Sequence, residues 1–546
     1  MFFQVGNFSV SQLCKPARVI TAVNKQLPGP TLHVREGDTV VVHVINNSPY
    51  NVTVHWHGIF QRGSQWADGP EMVTQCPIRP GRRYAYRYNV TGQEGTLWWH
   101  AHSSTLRATV YGAIVIKPRH GEHGYPFPNP DKEEILLLGE WWNDDVVDLE
   151  RQAFLTGDLV RPADAYTING KPGRLYNCSG GRKRRRRHQT HKLRVQSNST
   201  YLLRIINAAV NTPLFFKIAG HSFTVVAADA SYTTRYSTDV IVVAPGQTVD
   251  ALMLADADPS RLYYMAASPY QSAVPALPFS DTTATGTVEY VGQRNTKRKR
   301  RLMMVRMPKV NDVATAHRFL SSLTALVRRG GRTVPLAVDT RMFVAFRLGV
   351  AGCRKGQTRC ARNAPVFAGS MNNASFVLPA GAVPLLEAHY RNVSGVFTRD
   401  FPDNPPVPFD YTRPPARLGF TAKSTRVKTL RYNATVEVVL QNTALVARES
   451  HPMHLHGFNF FVLAQGFGNF HAAEKRRYNL VNPQERNTVA VPPGGWAVIR
   501  FVADNPGMWL MHCHFDAHLP IGLAMAFEVQ SSDLPPPPAD LPRCSD

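Results

Sequence analysis

Four His-x-His clusters, two near each end of the chain, are the residues whose types and spacing could do chemistry. They read His55-Trp56-His57, His100-Ala101-His102, His454-Leu455-His456 and His512-Cys513-His514. Residues i and i+2 of a β-strand share a face, so each cluster can aim two imidazoles into one space. One such pair is usually an ordinary surface or core feature, but four pairs do not arise by composition from twenty histidines. Imidazoles in this pattern indicate a site for copper, zinc, iron or nickel.

A single cysteine narrows the choice of metal. Cys513 lies inside the last cluster, His451 stands three residues before His454, and His518 stands four after His514. One cysteine with two nearby histidines and a weak axial position is typical of a blue, electron-transfer copper. The sequence therefore predicts copper, with one mononuclear site around Cys513 and further ions on the histidine pairs.

The segments that must position these ligands are predicted to be short β-strands. Stretches such as REGDTVVVHVINNS and NSTYLLRIINAA alternate between apolar and polar residues, and turns rich in proline and glycine separate them. A hydrophobic content of 43% and a charged content of 18% fit a soluble globular protein with sizeable cores. The chain of 546 residues is too long for one ordinary domain. We predict an all-β protein of several sandwiches or barrels.

Two segments are predicted to be linkers between domains. Residues 119–130 are rich in proline and glycine, and residues 293–309 lose the strand alternation and carry basic residues. The predicted domains are therefore 1–118, 131–292 and 310–546. The second contains no His-x-His cluster, which suggests a structural or spacer role.

The clusters lie within longer stretches that resemble the four copper signatures of multicopper oxidases. These stretches are HWHGIFQRGSQWADGP (55–70), GTLWWHAHSSTLRATVYGAIVI (95–116), HPMHLHGFNFFVLAQGFGNF (451–470) and GMWLMHCHFDAHLPIGLAMAFEV (507–529). The surrounding text, for example GEWWNDD, APGQTVDALM and NLVNPQERNTVAVPPGGWAVIRF, resembles plant laccases over nearly the whole chain. The resemblance implies three cupredoxin-like Greek-key β-barrels, with the polynuclear site between the first and the last. It also implies oxidation of phenols of the monolignol type, coupled to reduction of dioxygen to water.

The same resemblance implies four coppers and assigns their ligands. The blue, type 1 site would be held by His451, Cys513 and His518. Leu523, ten residues beyond the cysteine, would take the axial position; it cannot coordinate, and this should raise the reduction potential. The type 2 copper would be held by His55 and His454. The type 3 pair would be held by His57, His100, His102, His456, His512 and His514.

The tripeptide 512–514 would then connect the two sites, because the blue-copper cysteine is bonded through the backbone to two cluster ligands. An electron taken from substrate near His518 could pass through Cys513 to the flanking histidines. Asp68 and Asp516 match acidic positions that supply protons in the family. The alternative for Asp68 is a turn-forming residue before Gly69.

Other functions remain open on the sequence alone. An ascorbate oxidase usually carries methionine at the axial position, and a metal oxidase would need acidic residues beside the blue-copper histidines. A copper-free cell-wall relative would have lost ligands, and none is missing here. The groove that would bind the phenol is built from variable loops, so the natural substrate is not identified, nor whether the protein builds or breaks down polymers.

The cysteines and glycosylation sequons indicate a secreted protein, and the resemblance to plant laccases implies the apoplast or cell wall. Besides Cys513 the chain has an even set, Cys14, Cys76, Cys178, Cys353, Cys360 and Cys544, which suggests three disulfides with fifteen connectivities open. Resemblance implies Cys76–Cys544 and Cys14–Cys178, which leaves Cys353–Cys360. Sequons begin at Asn7, Asn46, Asn51, Asn89, Asn177, Asn198, Asn373, Asn392 and Asn433. No signal peptide is visible, since the chain opens MFFQVGNFSV, which alternates like a strand.

Two basic runs, 182–187 and 297–301, concentrate a net charge of +23. Such runs can mark nucleic-acid patches, but no aromatic recognition motif accompanies them. We interpret them as solvated loops that could adhere to polyanionic cell-wall polymers. We expect a monomer with no nucleic-acid partner and, because no apolar run is long enough to cross a bilayer, no membrane segment.

Overall fold

The computed structural model describes the chain except residues 120–123, 175–188, 293–300, 328–332, 354–355, 359–363, 380, 382, 444, 532 and 546. Strands dominate the described residues, which confirms the all-β prediction. None of the helices in these ranges combines the length and the apolar character needed to span a membrane. The predicted basic runs lie outside the described residues, apart from Arg301.

Two four-stranded sheets form the first domain, in the orders β2-β1-β4-β6 and β3-β8-β7-β5. The strands are β1 (Phe2–Val10), β2 (Arg18–Val23), β3 (Leu32–Arg35), β4 (Thr39–Asn46), β5 (Val54–His57), β6 (Arg83–Asn89), β7 (Gly95–Ala101) and β8 (Tyr111–Lys117). Val40, Val42 and Val44 of β4 are buried while their neighbours are not, the period of two that a half-buried strand requires. Side chains from both sheets, including Trp56 and Trp99, meet in one core. Short 3₁₀ helices follow β5 (Gln65–Ala67) and β7 (Ser104–Ala108).

The second domain has two larger sheets, in the orders β10-β9-β12-β17-β14-β15 and β11-β19-β18-β13-β16. The strands are β9 (Lys132–Trp141), β10 (Ala165–Ile168), β11 (His191–Val195), β12 (Thr200–Asn207), β13 (Leu214–Ile218), β14 (Phe223–Ala228), β15 (Ser231–Thr238), β16 (Ile241–Val243), β17 (Thr248–Leu254), β18 (Leu262–Pro269) and β19 (Ala284–Tyr290), with β20 (Leu302–Met303) beside β18. Helix α1 (Val146–Thr156) begins at Asp145, whose carboxylate accepts the first free backbone N–H groups, and ends at the left-handed Gly157.

Helix α2 (Val313–Ser322) follows the second predicted linker but packs on the middle domain. Its residues Ala316 and Phe319 belong to the same core as the strands of that domain. The predicted domain boundaries stay a prediction.

The third domain pairs an eight-stranded sheet, β24-β23-β22-β21-β26-β31-β28-β29, with a five-stranded one, β25-β33-β32-β27-β30. The strands are β21 (Thr340–Ala351), β22 (Val366–Met371), β23 (Ala374–Phe376), β24 (Ala422–Ser424), β25 (Val427–Arg431), β26 (Thr435–Asn442), β27 (His451–Leu455), β28 (Phe460–Phe467), β29 (Gln484–Arg486), β30 (Thr488–Val491), β31 (Gly495–Val502), β32 (Gly507–Cys513) and β33 (Ala524–Gln530). Helix α3 is Leu385–Tyr390, and 3₁₀ helices cover Ala416–Gly419 and Ala472–Arg477. Cys513 and Leu523 are both in the core that the two sheets share.

One disulfide joins the first domain to the C-terminal tail. Cys76 and Cys544 are bonded, which confirms that pairing. Cys14 and Cys353 are also disulfide-bonded; their predicted partners, Cys178 and Cys360, lie outside the described residues. Cys513 is buried and free, as its predicted role as a metal ligand requires.

Candidate metal centre

Two strand pairs, one in the first domain and one in the third, carry the four clusters. In the first domain β5 pairs with β7 so that His55 stands opposite His100. In the third domain β27 pairs with β32 so that His454 stands opposite His512. Because side chains alternate along a strand, His512 and His514 point one way and Cys513 the other. The last cluster therefore serves two sites at once.

The eight histidines of the four pairs come together in one buried cluster between the first and third domains. His57 Nδ1 lies 3.1 Å from His514 Nε2 across the domain boundary, and His456 Nε2 lies 3.1 Å from His512 Nε2. Three triplets have ligand atoms within 4.8 Å of one another: His55, His454 and His456; His55, His57 and His100; and His102, His456 and His512. Neither domain alone could form this site.

Hydrogen bonds to Nδ1 orient five histidines so that their Nε2 atoms face the centre of the cluster. Backbone carbonyls lie 2.8–2.9 Å from Nδ1 of His55, His100, His454 and His512. A carboxylate oxygen of Asp68 is 2.9 Å from Nδ1 of His456. An acceptor on one ring nitrogen fixes the proton there and leaves the other nitrogen as a ligand. His57 is turned the other way, with Nε2 3.1 Å from Asn487 Oδ1.

Burial makes the cluster suited to a metal rather than to protons. It lowers the pKa of His57, His100, His102, His454, His456 and His514 well below the usual value and that of His512 to about 3. Neutral imidazole is the form that binds metal. Among the described residues, Nε2 of His55, His100 and His454 has no hydrogen-bond partner. Unpaired buried nitrogens are costly, so the donor set fits bound copper.

The second site consists of His451, Cys513 and His518. Cys513 Sγ lies 3.5 Å from His451 Nδ1 and 3.4 Å from His518 Nδ1, and all three residues are buried. Burial raises the pKa of the Cys513 thiol, so only a bound metal would displace its proton. Leu523 is fully buried, and its backbone carbonyl accepts a bond from Cys513 N. Leu523 is thus bonded to Cys513 through the backbone and shares its core, and its side chain has no donor atom to offer at the predicted axial position.

Glu449 is a carboxyl group beside this second site that the sequence analysis did not single out. Its Oε1 lies 3.9 Å from His451 Nε2 and 3.7 Å from His518 Nε2. Burial raises the pKa of Glu449 to about 8. Its position two residues before His451 in the sequence is the signal that could have found it.

Asp68 contacts histidines from both domains. Its carboxylate oxygens lie 3.2 Å from His55 Nδ1 and 2.9 Å from His456 Nδ1, and the residue is fully buried. Gly69 follows with φ +98, and a Cβ there would stand 1.9 Å from a backbone oxygen of Val54. The turn thus depends on the glycine, while the Asp68 side chain faces the cluster.

Asp516 lies beside the cluster and pairs with a buried arginine. Arg107 Nε is 3.3 Å from Asp516 Oδ2, and Arg107 Nη1 is 2.8 Å from His514 Nδ1. Arg107 Nη2 also donates to the backbone oxygens of Val210 and His514, so this one side chain contacts all three domains. Burial raises the pKa of Asp516 to about 7, against the opposing effect of Arg107.

The middle domain supplies no histidine to either site but holds two of the cluster's rings in place. Thr488 Oγ1 is 3.2 Å from His57 Nε2 and 3.1 Å from His454 Nδ1. Asp229 of the middle domain pairs with both Nε and Nη2 of Arg486, two residues before Thr488, at 3.0 and 3.1 Å. The segment that orients the histidines is therefore anchored to the middle domain.

The loop between β16 and β17 closes the cluster from the same side. A Cβ on Gly246, which has φ +93, would lie 3.0 Å from the His514 ring and 3.1 Å from that of His57. The next residue, Gln247, donates to the backbone oxygen of Thr488. The domain predicted to have a structural or spacer role thus approaches the candidate ligands so closely that a side chain at Gly246 would press on two of them.

Two clefts lead from the surface toward the sites. One, of about 410 Å³, reaches His518 and is lined by Trp142, Tyr270, Phe279, Phe367 and Phe515, together with the carboxyl groups of Glu140 and Glu449. The other, of about 300 Å³, reaches His100 and His102 and is lined by Glu71, Glu150 and Asp516. The first cleft therefore presents five aromatic side chains, and the second presents three carboxyl groups.

The sequence-predicted ligands all occupy these two sites, but several supporting residues had no sequence signal. No motif in the sequence distinguishes these residues from ordinary members of strands, helical turns or loops; they are Arg107, Asn487, Thr488 and Gly246. Their relation to the histidines arises from contacts between domains, for example the 407 residues that separate Arg107 from His514.

Comparisons with known proteins agree with this geometry. Three family models of the multicopper oxidases match residues 4–121, 132–293 and 400–533. Laccase-25 of Oryza sativa subsp. japonica is 65% identical, over 100% of this chain and 95% of that protein, and Laccase-7 of Arabidopsis thaliana is 58% identical, over 99% and 95%. The solved laccase of Botrytis aclada shares 26% identity with a TM-score of 0.74, over 98% of this chain and 88% of that one. The predicted cupredoxin-like domains are thereby confirmed, and the chain belongs to the multicopper oxidase family, among its plant laccases.

Proposed function

We propose that the two sites divide the laccase reaction, with phenols oxidised at the His451–Cys513–His518 site and dioxygen reduced at the eight-histidine cluster. The observation that carries this division is the tripeptide 512–514, in which Cys513 faces one site and its two neighbours face the other. Copper, four ions per chain when bound, supplies the one-electron chemistry that matches four phenol oxidations to the reduction of dioxygen to two waters. The backbone between Cys513 and its neighbours is the shortest covalent route between the sites.

We assign the ligands as the sequence analysis predicts. His55 and His454 would hold the type 2 copper, and Leu523 would occupy the axial position at the blue site. The type 3 pair would be held by His57, His100, His102, His456, His512 and His514. The free Nε2 atoms of His55 and His454 support the first assignment.

The cleft at His518 is the proposed site of the phenol. Its aromatic walls suit a planar aromatic ring, which they can stack against or contact edge-on. His518 and Phe515 line the inner end, so a ring held there lies next to a ligand of the blue site. Monolignol-type phenols are the proposed natural class.

Protons are proposed to reach dioxygen from the acidic side of the cluster. Asp516 lines the cleft that reaches His100 and His102, where it can take protons from water. Asp68 has no route of this kind, because it is fully buried against His55 and His456. Its proposed role is to pass protons inward while it orients these two rings.

The metal-oxidase alternative has one observation in its favour, the Glu449 carboxyl group beside His451 and His518. A metal ion as substrate would need several oxygen ligands close together, whereas the lining of this cleft is more apolar than polar and includes five large aromatic side chains. The methionine of ascorbate oxidases is absent from the predicted axial position, where Leu523 stands. A copper-free relative would lack ligands, and here each predicted ligand lies in a site. The geometry favours a phenol oxidase.

We further propose that the protein is a secreted, glycosylated monomer of the apoplast. The Cys76–Cys544 disulfide supports an oxidising compartment. Seven sequon asparagines are exposed, namely Asn7, Asn51, Asn89, Asn198, Asn373, Asn392 and Asn433. Asn46 is an exception: it is fully buried and donates to the backbone oxygens of Tyr50 and Ile78, so we do not propose a glycan there. Adhesion of the basic runs to polyanionic polymers stays a prediction, because both lie largely outside the described residues.

The test is a visible spectrum with oxygen uptake on a panel of phenols. The copper-loaded protein should be blue and should consume oxygen with phenols. Cys513→Ser should lose the blue band and keep part of the cluster copper. Met525→Leu, a change in the same core, serves as the matched control and should stay blue. A colourless copper-loaded protein would refute the assignment.

A further inference from the structure

A small cavity on the third domain contains a buried arginine that the proposed reaction does not use. The cavity measures about 220 Å³ and is lined by Ala345, Arg347, Asn372, Asn373, Pro405, Pro406, Val407, Phe409, Leu418, Phe420 and Thr443. Phe346 contacts the His451 ring in the core, so its neighbour Arg347 points to the opposite face of β21. The cavity is therefore on the outer side of the sheet and separate from both metal sites.

Arg347 is the only charged residue among the described residues that line the cavity. It is 7% exposed, and its Nη2 donates to Asn373 Oδ1 at 2.7 Å and to the backbone oxygen of Phe420 at 3.2 Å. Among the described residues, Nη1 and Nε have no hydrogen-bond acceptor, and no carboxylate pairs with the guanidinium. Burial lowers the pKa of Arg347, and no neighbouring anion offsets this effect. A buried cation without a counter-ion is costly and favours an anionic ligand.

The rim of the cavity is apolar and faces solvent. Phe420 is 59% exposed and Val407 is 49% exposed, while Phe409 and Pro405 form the wall between them. Large apolar side chains grouped at the mouth of a cavity are typical of a binding site. The cavity is smaller than the roughly 300 Å³ at which drug-sized pockets begin, so it suits one ring.

We propose that this cavity binds a small aromatic carboxylate. The carboxylate accepts a hydrogen bond from Arg347 Nη1 and neutralises its charge, and the ring packs against Phe409 and Phe420. Neither metal site contributes a residue, so the proposal is independent of the proposed function.

Binding is tested by calorimetry on the copper-loaded protein with benzoate, which lacks a phenolic hydroxyl and so is not consumed. Benzamide, of similar shape but neutral, is the matched ligand. Benzoate should bind and benzamide should bind much more weakly. Arg347→Gln should weaken benzoate binding roughly tenfold or more, as loss of a charge-assisted hydrogen bond predicts. Arg341→Gln, exposed on the same strand, should leave it unchanged.

Val407→Asp is a second variant. It should not impair folding through loss of a buried side chain, because Val407 is on the rim of the cavity. It should weaken benzoate binding by repulsion and leave copper content and phenol oxidation unaltered. Asn373 also begins a sequon, so the titration is repeated with Ser375→Ala, which removes the sequon and keeps the Asn373 amide. Equal binding of benzoate and benzamide, no effect of Arg347→Gln, or binding only in Ser375→Ala would each overturn the proposal.

Discussion

Asp229→Asn tests whether the middle domain holds the histidine cluster together. The change keeps the side-chain shape but removes the charge that pairs with Arg486 at 3.0 and 3.1 Å. Both side chains are buried, and breaking such a pair costs about 3–5 kcal/mol. Asparagine can still accept the hydrogen bond from Thr248 N. We therefore expect the free energy of unfolding to fall by about 3 kcal/mol, the lower end of this range.

The effect on the metal sites should be uneven, which separates positioning from general destabilisation. Thr488, two residues from Arg486, contacts His57 and His454 but no residue of the blue site. The variant should therefore hold fewer than four coppers after dialysis and reoxidise slowly, while its blue band per chain stays near normal. Metal analysis, visible spectra and denaturant unfolding measure the three quantities.

The control is Asp239→Asn in the same domain, where an exposed aspartate pairs with Lys217. Surface pairs contribute about 0–1 kcal/mol, so this variant should match the unmodified protein. If Asp229→Asn keeps all its copper, or loses the blue band in parallel with the cluster, the middle domain does not act as argued.

Three further predictions follow from the described residues. Leu523→Met should lower the potential of the blue site in a redox titration, and no change would mean that another residue is axial. Asp516→Asn should leave bleaching of the blue band by phenol near normal and slow its recovery with dioxygen in stopped-flow measurements; the reverse pattern would place Asp516 on the substrate side. Burial opposes ionisation of Glu528, but bonds from His389, Arg399 and Thr429 outweigh it and lower its pKa to about 2, below the usual 4.5. A lowered pKa stabilises the fold above 4.5 and ceases to do so as the pH falls toward 2, so Glu528→Gln should destabilise the protein at neutral pH and have little effect near pH 2 in unfolding titrations.

The sequence could predict the ligands because their pattern is local. A His-x-His pair on a strand fixes a shared face with no knowledge of the rest of the fold, and β5 carries His55 and His57 in this way. The spacing of His451, Cys513 and His518 likewise carries its own chemistry. These residues needed only the correct secondary structure and the resemblance to become a site.

The supporting residues could not be predicted because they depend on how domains meet. Arg107 is an ordinary residue of a 3₁₀ turn until the third domain places His514 against it. Gly246 reads as one more turn glycine, and only the packing shows that a side chain there would press on two imidazoles. Asn46 shows the converse, since a valid sequon does not reveal that the asparagine is buried. The periodicity of a sequence predicts which face of a strand or helix is buried. It does not predict which residue from a distant part of the chain packs against that face.

The Cys76–Cys544 bond turns most of the polypeptide into a covalent ring. The two ends of that ring belong to the first domain and to the tail behind the third, the domains that each supply half of the histidine cluster. A protease that cuts once at the arginines of 182–187 would open the ring without releasing a fragment. The disulfide would keep the two pieces tethered. Each half of the histidine cluster would then be present at a high effective concentration near the other half. Nicking and reduction would both be needed to separate the halves, so a single cleavage leaves the two halves of the histidine cluster covalently linked.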